Sequence, residues 1–194
     1  MKPRFPFAQS AGRRAGLLLS LISPLTAAEP TSLEPPHWET QGPVIWEQTD
    51  AGIGASGGAP EPGYLVSRST YGPLRLRLAF WIEPDTNSGV FVGCAPGAPI
   101  SPNACYEINI WDRHPNQDWR TGALVGIAPP LARVETLGRW NRLEILAEEK
   151  RLRVWINDTL TADRLIEAPR EGHLALQFGG AGAVRFRDLA LERP

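Results

Sequence analysis

The chain has 194 residues, with 20 Lys and Arg against 21 Asp and Glu, a formal net charge of -1. That length suffices for one domain with a sizeable core, and a charge near zero removes the electrostatic case for a nucleic-acid partner. A hydrophobic content of 42% excludes a disordered chain, and 19 glycines with 19 prolines predict many turns between short segments.

Residues 1–28 read as a signal peptide, with a disordered tail as the alternative. Lys2, Arg4, Arg13 and Arg14 form a basic start, Ala15 to Ile22 a short apolar run, and Thr26-Ala27-Ala28 a small-residue cleavage site. The apolar run falls short of the roughly 20 residues that span a bilayer, and no cysteine near the cut offers a lipid anchor. The Arg13-Arg14 pair leaves Sec and twin-arginine export both open. Removing four basic residues from the 20 leaves 16 against 21 acidic, a net of -5, which gives the remaining chain little reason to sit on anionic lipid. A periplasmic or secreted protein with no stable membrane span is expected. Residues 29–43 are proline-rich and read as an extended N-terminal segment, and residues 44–194 as the domain proper.

Within the domain, Gly52 to Gly63 reads as a glycine- and proline-dense loop without the Gly-Lys-Ser/Thr ending of a phosphate loop. From Leu74 to Glu83, apolar Leu74, Leu76, Leu78, Phe80 and Ile82 alternate with Arg75, Arg77, Ala79, Trp81 and Glu83, the period of a half-buried strand. Gly89 to Gly93 is a short apolar strand. Further alternations run through Tyr106–Trp111, Trp140–Ile145, Arg151–Ile156, His173–Phe178 and Val184–Arg187. Asn157-Asp158 reads as a hairpin turn; the sequon Asn157-Asp158-Thr159 overlaps it, and the turn is the simpler reading. Pro130 to Thr136 has room for a helical turn or two at most. About ten short strands and no helical stripe predict an all-β sandwich or barrel of antiparallel strands, with polar half-strands on the wet faces.

Cys94 and Cys105 are the only cysteines. In an oxidising compartment they are expected to form a disulfide; two buried free thiols are the alternative. A metal is not indicated: His37, His114 and His173 are scattered, and no tight ligand spacing such as HExxH occurs. No GxSxG elbow or GxGxxG loop is present, and no cofactor is called for.

The stretch Cys105 to Asp112 (CYEINIWD) carries the most chemistry. Strand alternation puts Glu107, Asn109 and Trp111 on one face: an acceptor, an amide that both donates and accepts, and a stacking plane, a set suited to sugar hydroxyls. A solvated strand is the plain alternative. Trp81, Trp140 and Trp155 also fall on the polar side of their strands, where they either stack on sugars or fill a second core layer. Retaining glycosidases use paired carboxyl groups, but position i+2 from Glu107 is Asn109, so a second acid would have to come from elsewhere, such as Glu144 or Asp112.

Six short segments occur in one order: Asn87-Ser88-Gly89-Val90-Phe91, Tyr106 through Asp112, Thr121-Gly122-Ala123, Trp140-Asn141, Leu176-Gln177 and Phe186-Arg187-Asp188. On these segments, which span about Val44 to Glu192, the chain resembles the 3-keto-disaccharide hydrolase family. The resemblance implies a concanavalin-like jelly-roll β-sandwich of two antiparallel sheets. It also implies a carbohydrate substrate whose C3 hydroxyl has been oxidised to a ketone. Such a ketone acidifies the C2 proton, so one base can start an elimination of the C1 substituent and water can add afterwards. By resemblance, Glu107 is the catalytic base or a hydroxyl anchor. Asn109, Gln177 and Arg187 are candidates to hold oxygens, with Trp111, Asp112 and Arg113 as further substrate contacts, Asp112 either orienting Arg113 or binding a hydroxyl. Two departures stand out: Gly93 where many members carry arginine, and Gly179 where many carry histidine shortly after Leu-Gln. These motivate an alternative in which the domain binds glycans without turnover. Docking onto another envelope protein is a third reading.

Overall fold

A computed structural model describes residues 37–167 and 171–193. The signal peptide expected at residues 1–28 lies outside the described residues. Twelve strands are described: β1 (Trp38–Gln41), β2 (Glu47–Thr49), β3 (Gly52–Ser56), β4 (Ala59–Ser67), β5 (Leu74–Ile82), β6 (Thr86–Cys94), β7 (Tyr106–Ile110), β8 (Asn141–Glu148), β9 (Arg151–Ile156), β10 (Thr159–Leu165), β11 (His173–Gly180) and β12 (Ala183–Glu192). They form two antiparallel sheets, one of five strands in the order β1-β4-β11-β6-β7 and one of seven in the order β10-β9-β8-β5-β12-β3-β2. The fold is a jelly-roll sandwich, and among the described residues no helix is long and apolar enough to cross a membrane.

Alternation decides which residues the sandwich encloses. Leu74, Leu76, Leu78, Phe80 and Ile82 of β5 are buried between the sheets together with Ile145, Val154, Phe186, Val90, Ile108, Ile110, Leu176 and Phe178 from both layers. Burial of such side chains is worth roughly 1.5–3 kcal/mol each. The opposite positions of β5 carry Arg75, Arg77 and Trp81 outward, as the alternation predicts.

Three segments differ from the sequence reading. Trp38–Gln41, within the proline-rich 29–43 stretch expected to be extended, is a strand paired with β4, and Trp38 is in the core. Proline density hid it, although no proline falls within the strand itself. The Gly52–Gly63 loop is instead β3 and the start of β4. Only Gly57 and Gly58, at φ +92° and +77°, make the turn that carries the chain from one sheet to the other. Pro60 and Pro62 are tolerated because the β4–β11 register shifts between Ala59 and Gly63, so neither proline has to donate to the ladder. Pro130 to Thr136 forms no helix; the described helical turn is a 3-10 turn at Gln117–Trp119.

Cys94, at the end of β6, is bonded to Cys105, just ahead of β7. The bridge is buried on the outward side of the five-stranded sheet with Val66, Phe91 and Ala175. It closes a loop with a sequence separation of 11. Chain entropy over a ring of that size is worth about 3 kcal/mol. The Cys94→Ser/Cys105→Ser variant is therefore expected to unfold at a lower urea midpoint, by about that much in stability, with a slightly larger m-value because the unfolded chain is released from the ring.

Candidate functional site

The site grows out of β7. Tyr106, Ile108 and Ile110 enter the core between the sheets, so Glu107 and Asn109 project from the outer side of the five-stranded sheet. They are nevertheless buried, at 7% and 3% exposure. The free edge of β7 is sealed by the Thr121-Gly122-Ala123 stretch. Gly122 N–H donates to Asn109 O (2.9 Å), Asn109 N–H to Ala123 O (3.0 Å), and Val125 N–H to Glu107 O (3.1 Å). The Asn109 side chain donates through Nδ2 to the Trp119 carbonyl, and its Oδ1 is buried without a partner.

Register lines up the remaining groups. Tyr64 on β4 faces Gln177 on β11, which faces Gly89 on β6, which faces Asn109 on β7. One step along the same face, Val66, Ala175, Phe91 and Glu107 are aligned. Gly89 supplies no side chain at the middle of the first row. A Cβ there would stand 3.3 Å from both Gln177 Oε1 and Glu107 Oε1, so the amide and the carboxyl meet above this glycine. Gln177 Oε1, like Asn109 Oδ1, is buried and unpartnered.

The wall beside Glu107 is apolar: Phe91, Val66, Ala175 and the disulfide, with Tyr64 and Ile100 packed against them. Tyr64 meets Phe91 edge-on at 5.8 Å and 83°. Burial in this wall raises the Glu107 carboxyl from its ordinary value to about 7. Desolvation penalises the charged form, which is how a carboxyl becomes a base poised near neutrality. Trp111 follows just past the end of β7, half-buried, with its ring against His114 at 4.4 Å.

The other residues singled out from sequence do not join this cluster. Asp112 is buried and structural: its Oδ2 accepts from Thr136 N–H (2.6 Å), its Oδ1 from Thr136 Oγ1 (2.8 Å), and Arg120, itself buried, lies 3.8 Å away. It does not orient Arg113, which is exposed and 3.7 Å from Asp85. Arg187 lies on the other sheet, outward on β12, over the Trp140 ring at 4.0 Å and 3.3 Å from Asp188. It follows buried Phe186, and alternation carries it away from the core and from the five-stranded sheet. Trp81 and Trp155 likewise carry arginines, Arg185 at 4.4 Å and Arg153 at 5.6 Å. Glu144 is held by Arg75 and Arg77 on that sheet, so it is no second acid for Glu107. A depression of about 460 Å³ opens there, lined by Arg77, Ala79, Arg142, Glu144 and Trp155. Its charges are ion-paired, whereas the raised carboxyl and the unpartnered amide oxygens belong to the Glu107 face. Among the described residues no group of three or more His, Cys, Asp or Glu is placed to hold a metal ion.

Sequence reasoning missed Tyr64 and the role of Gly89. The Tyr64-Leu65-Val66 run bears a strand signal, but it directly follows the Gly52–Gly63 stretch, whose glycines and prolines signal a loop.

A family model described as a 3-keto-alpha-glucoside-1,2-lyase-like domain matches residues 33–192. No curated protein matches. Among solved structures, a candidate glycosyl hydrolase from Parabacteroides distasonis ATCC 8503 superposes with a TM-score of 0.67 at 23% identity, covering 77% of this chain and 90% of that one. The carbohydrate binding module CBM66 from Bacillus subtilis gives 0.59 at 18% identity, covering 80% and 95%. The exoplasmic/lumenal domain of VIP36, bound to Ca2+ and Man3GlcNAc, gives 0.60 at 10% identity, covering 82% and 86%. At these identities the likeness establishes the fold.

Two stability predictions follow from the buried carboxyls. Asp112→Ala strands Arg120 in the interior and is expected to cost roughly 3–5 kcal/mol in urea denaturation. Glu107 behaves oppositely. Its folded pKa of about 7 lies above the ordinary 4.5, so its favourable contribution is complete below pH 4.5 and disappears as pH rises through 7. Glu107→Gln removes that loss: the variant gains on the wild type from pH 4.5 to 7, by at most about 3 kcal/mol. Denaturation curves at pH 4.5, 6 and 8 check the sign.

Proposed function

Because the chain belongs to the 3-keto-alpha-glucoside-1,2-lyase-like family, we propose that it cleaves glycosides whose C3 carries a ketone, with Glu107 as the base. The observation that carries this reading is the buried carboxyl of Glu107, raised to about 7 by desolvation and facing the unpartnered Gln177 oxygen above Gly89. A glycosidase of the paired-carboxylate kind would need a second acid within roughly 5–10 Å. The two candidates are committed elsewhere: Asp112 to Thr136 and Arg120, Glu144 to two arginines.

In the proposed reaction the Glu107 carboxylate takes the C2 proton. The C–H electron pair forms an enolate whose charge resides on the C3 oxygen. The enolate collapses, restoring the C3 ketone, forming the C1–C2 double bond and breaking the C1–O bond. Glu107, now protonated, returns its proton to the departing oxygen. Addition of water across the new double bond completes hydrolysis; release before that step makes the enzyme a lyase. Asn109 Oδ1 and Gln177 Oε1 accept from sugar hydroxyls.

Gly179 favours a second reading. It follows Gln177 by two residues, and a Cβ there would meet nothing closer than 3.7 Å. The space where the family resemblance leads one to expect histidine is open, which suits a glycan-binding module as well as a larger substrate. Export to the periplasm or beyond is part of the proposal, and the Cys94–Cys105 bond supports it.

One experiment separates the readings. The purified protein is incubated with 3-keto-trehalose and a panel of 3-keto-glucosides while release of the leaving alcohol (glucose from 3-keto-trehalose, the aglycone from the others) is followed. The expected result is turnover with kcat/KM rising through an acid limb near pH 7, and a loss of roughly 10²–10⁴-fold in Glu107→Gln. Saturable quenching of tryptophan fluorescence without product would establish the binding module instead, and absence of both would end the carbohydrate reading.

A further inference from the structure

The proposed elimination puts negative charge on the C3 oxygen, and a preorganised donor aimed at such an oxygen is commonly the largest single contribution to the rate. The three residues first considered for that task do not supply it. Arg187 is on the other sheet. Asn109 directs its amide nitrogen to the Trp119 carbonyl and leaves its oxygen unpartnered. Gln177 likewise turns its oxygen toward Glu107 above Gly89. Bare oxygens suit sugar hydroxyls; they repel an enolate.

We propose that the Tyr64 hydroxyl donates the hydrogen bond to the enolate oxygen formed when Glu107 removes the proton beside the ketone. The inference rests on the Glu107 reading above and adds to it a residue that the sequence did not suggest.

Position comes first. Tyr64 is in register with Gln177 and hence in the row that leads over Gly89 to Asn109. Strands β4 and β7 are three spacings apart, roughly 14 Å, a span that two long side chains leaning toward the bare glycine largely close. The edge-on contact with Phe91 holds the phenol ring against the same wall that desolvates Glu107. Tyr64 is half-buried, so one side of it is open to a ligand.

The electrostatics agree with that position. Burial, and next the charge of Glu107, raise the Tyr64 hydroxyl above its usual value, while a side-chain hydrogen bond with Gln177 opposes the rise. Gln177 is the register partner of Tyr64 and presents its oxygen above Gly89, on the Glu107 side. The phenol proton is available to a ligand oxygen on the open side of the half-buried ring. At the pH where Glu107 ionises, Tyr64 stays protonated, so base and donor hold the opposite protonation states that the step requires.

The test uses the full protein, wild type, Tyr64→Phe and Glu107→Gln, on 3-keto-glucosides with a nitrophenol or an alkyl alcohol as leaving group. Tyr64→Phe keeps the ring against Phe91, and an unchanged melting temperature verifies that fold. The expected result is a loss of roughly 10²–10³-fold in kcat/KM, equal for both leaving groups, with a C2-deuterium isotope effect at least as large as in the wild type. Replacement of Tyr64 by 3-fluorotyrosine, which keeps the hydroxyl, is expected to retain turnover. A loss below about fivefold overturns the inference. So does a loss confined to the alkyl leaving group, since the hydroxyl would then serve the departing oxygen. A wild type inactive on the whole panel removes the Glu107 reading and this one together, whereas an active wild type with an indifferent Tyr64→Phe removes this one alone.

Discussion

The site depends on the antiparallel register across β11, β6 and β7, which sets a glycine between a glutamine and an asparagine. Gln177, Gly89 and Asn109 are opposite one another, and the missing side chain is what lets the Glu107 carboxyl and the Gln177 amide converge. A Cβ at Gly89 would lie 3.3 Å from both oxygens and from the Ile108 carbonyl oxygen as well. Such approaches are tighter than ordinary contacts, so even alanine would displace the polar groups. A one-residue slip of β7 would send Glu107 and Asn109 into the core and Ile108 and Ile110 out of it. The core contacts of those two isoleucines therefore hold the polar face in place.

The two outer faces of the sandwich treat charge in contrasting ways. On the seven-stranded sheet, acids and bases are neighbours: Glu144 with Arg75 and Arg77, Arg77 with Glu192, Arg151 with Asp163, Arg153 with Glu148. Arginines also cover the rings of Trp81, Trp140 and Trp155. Exposed pairs of this kind contribute little stability individually. On the five-stranded sheet Glu107 sits against Phe91 and a disulfide, and burial alone moves its pKa. Perturbed groups mark functional positions more often than paired ones do, which is why the depression near Trp155 is set aside in favour of the more enclosed Glu107.

Much of this was legible in the sequence because alternation is a strong signal where strands have one wet face. The strands β5, β7, β9 and β11, and the shared orientation of Glu107 and Asn109, follow from period two alone. What escaped is instructive in physical terms. Trp38–Gln41 and Gly52–Gly63 were misread because glycine and proline mark turns by composition, whereas Pro60 and Pro62 occupy a register shift where no N–H is needed. Asp112, Arg113 and Arg187 were grouped with Glu107 by adjacency or by motif. Adjacency fails at a strand end: β7 stops at Ile110, and the chain beyond it turns Asp112 inward to Thr136. Motif order cannot distinguish which sheet a strand joins, and β12 joins the other one. Tyr64 reaches Gln177 across 113 residues of chain, a pairing that only the β4–β11 register creates.

A single base suffices only when the substrate brings its own electron sink. An unmodified glycoside offers no acidic carbon, so its cleavage calls on an acid and a nucleophile or activated water at once. A neighbouring ketone changes the demand: one carboxylate must be basic enough to take a carbon-bound proton, and one donor must meet the oxygen where the charge arrives. Raising Glu107 to about 7 serves the first need, because an ordinary carboxylate is a far weaker base. The same desolvation strengthens a hydrogen bond from Tyr64 to the enolate oxygen, since both operate beside Phe91 in a medium of low polarity. One apolar wall thus tunes the base and its partner donor in the directions that the proposed chemistry requires, and a polar substitution in that wall would weaken both at once.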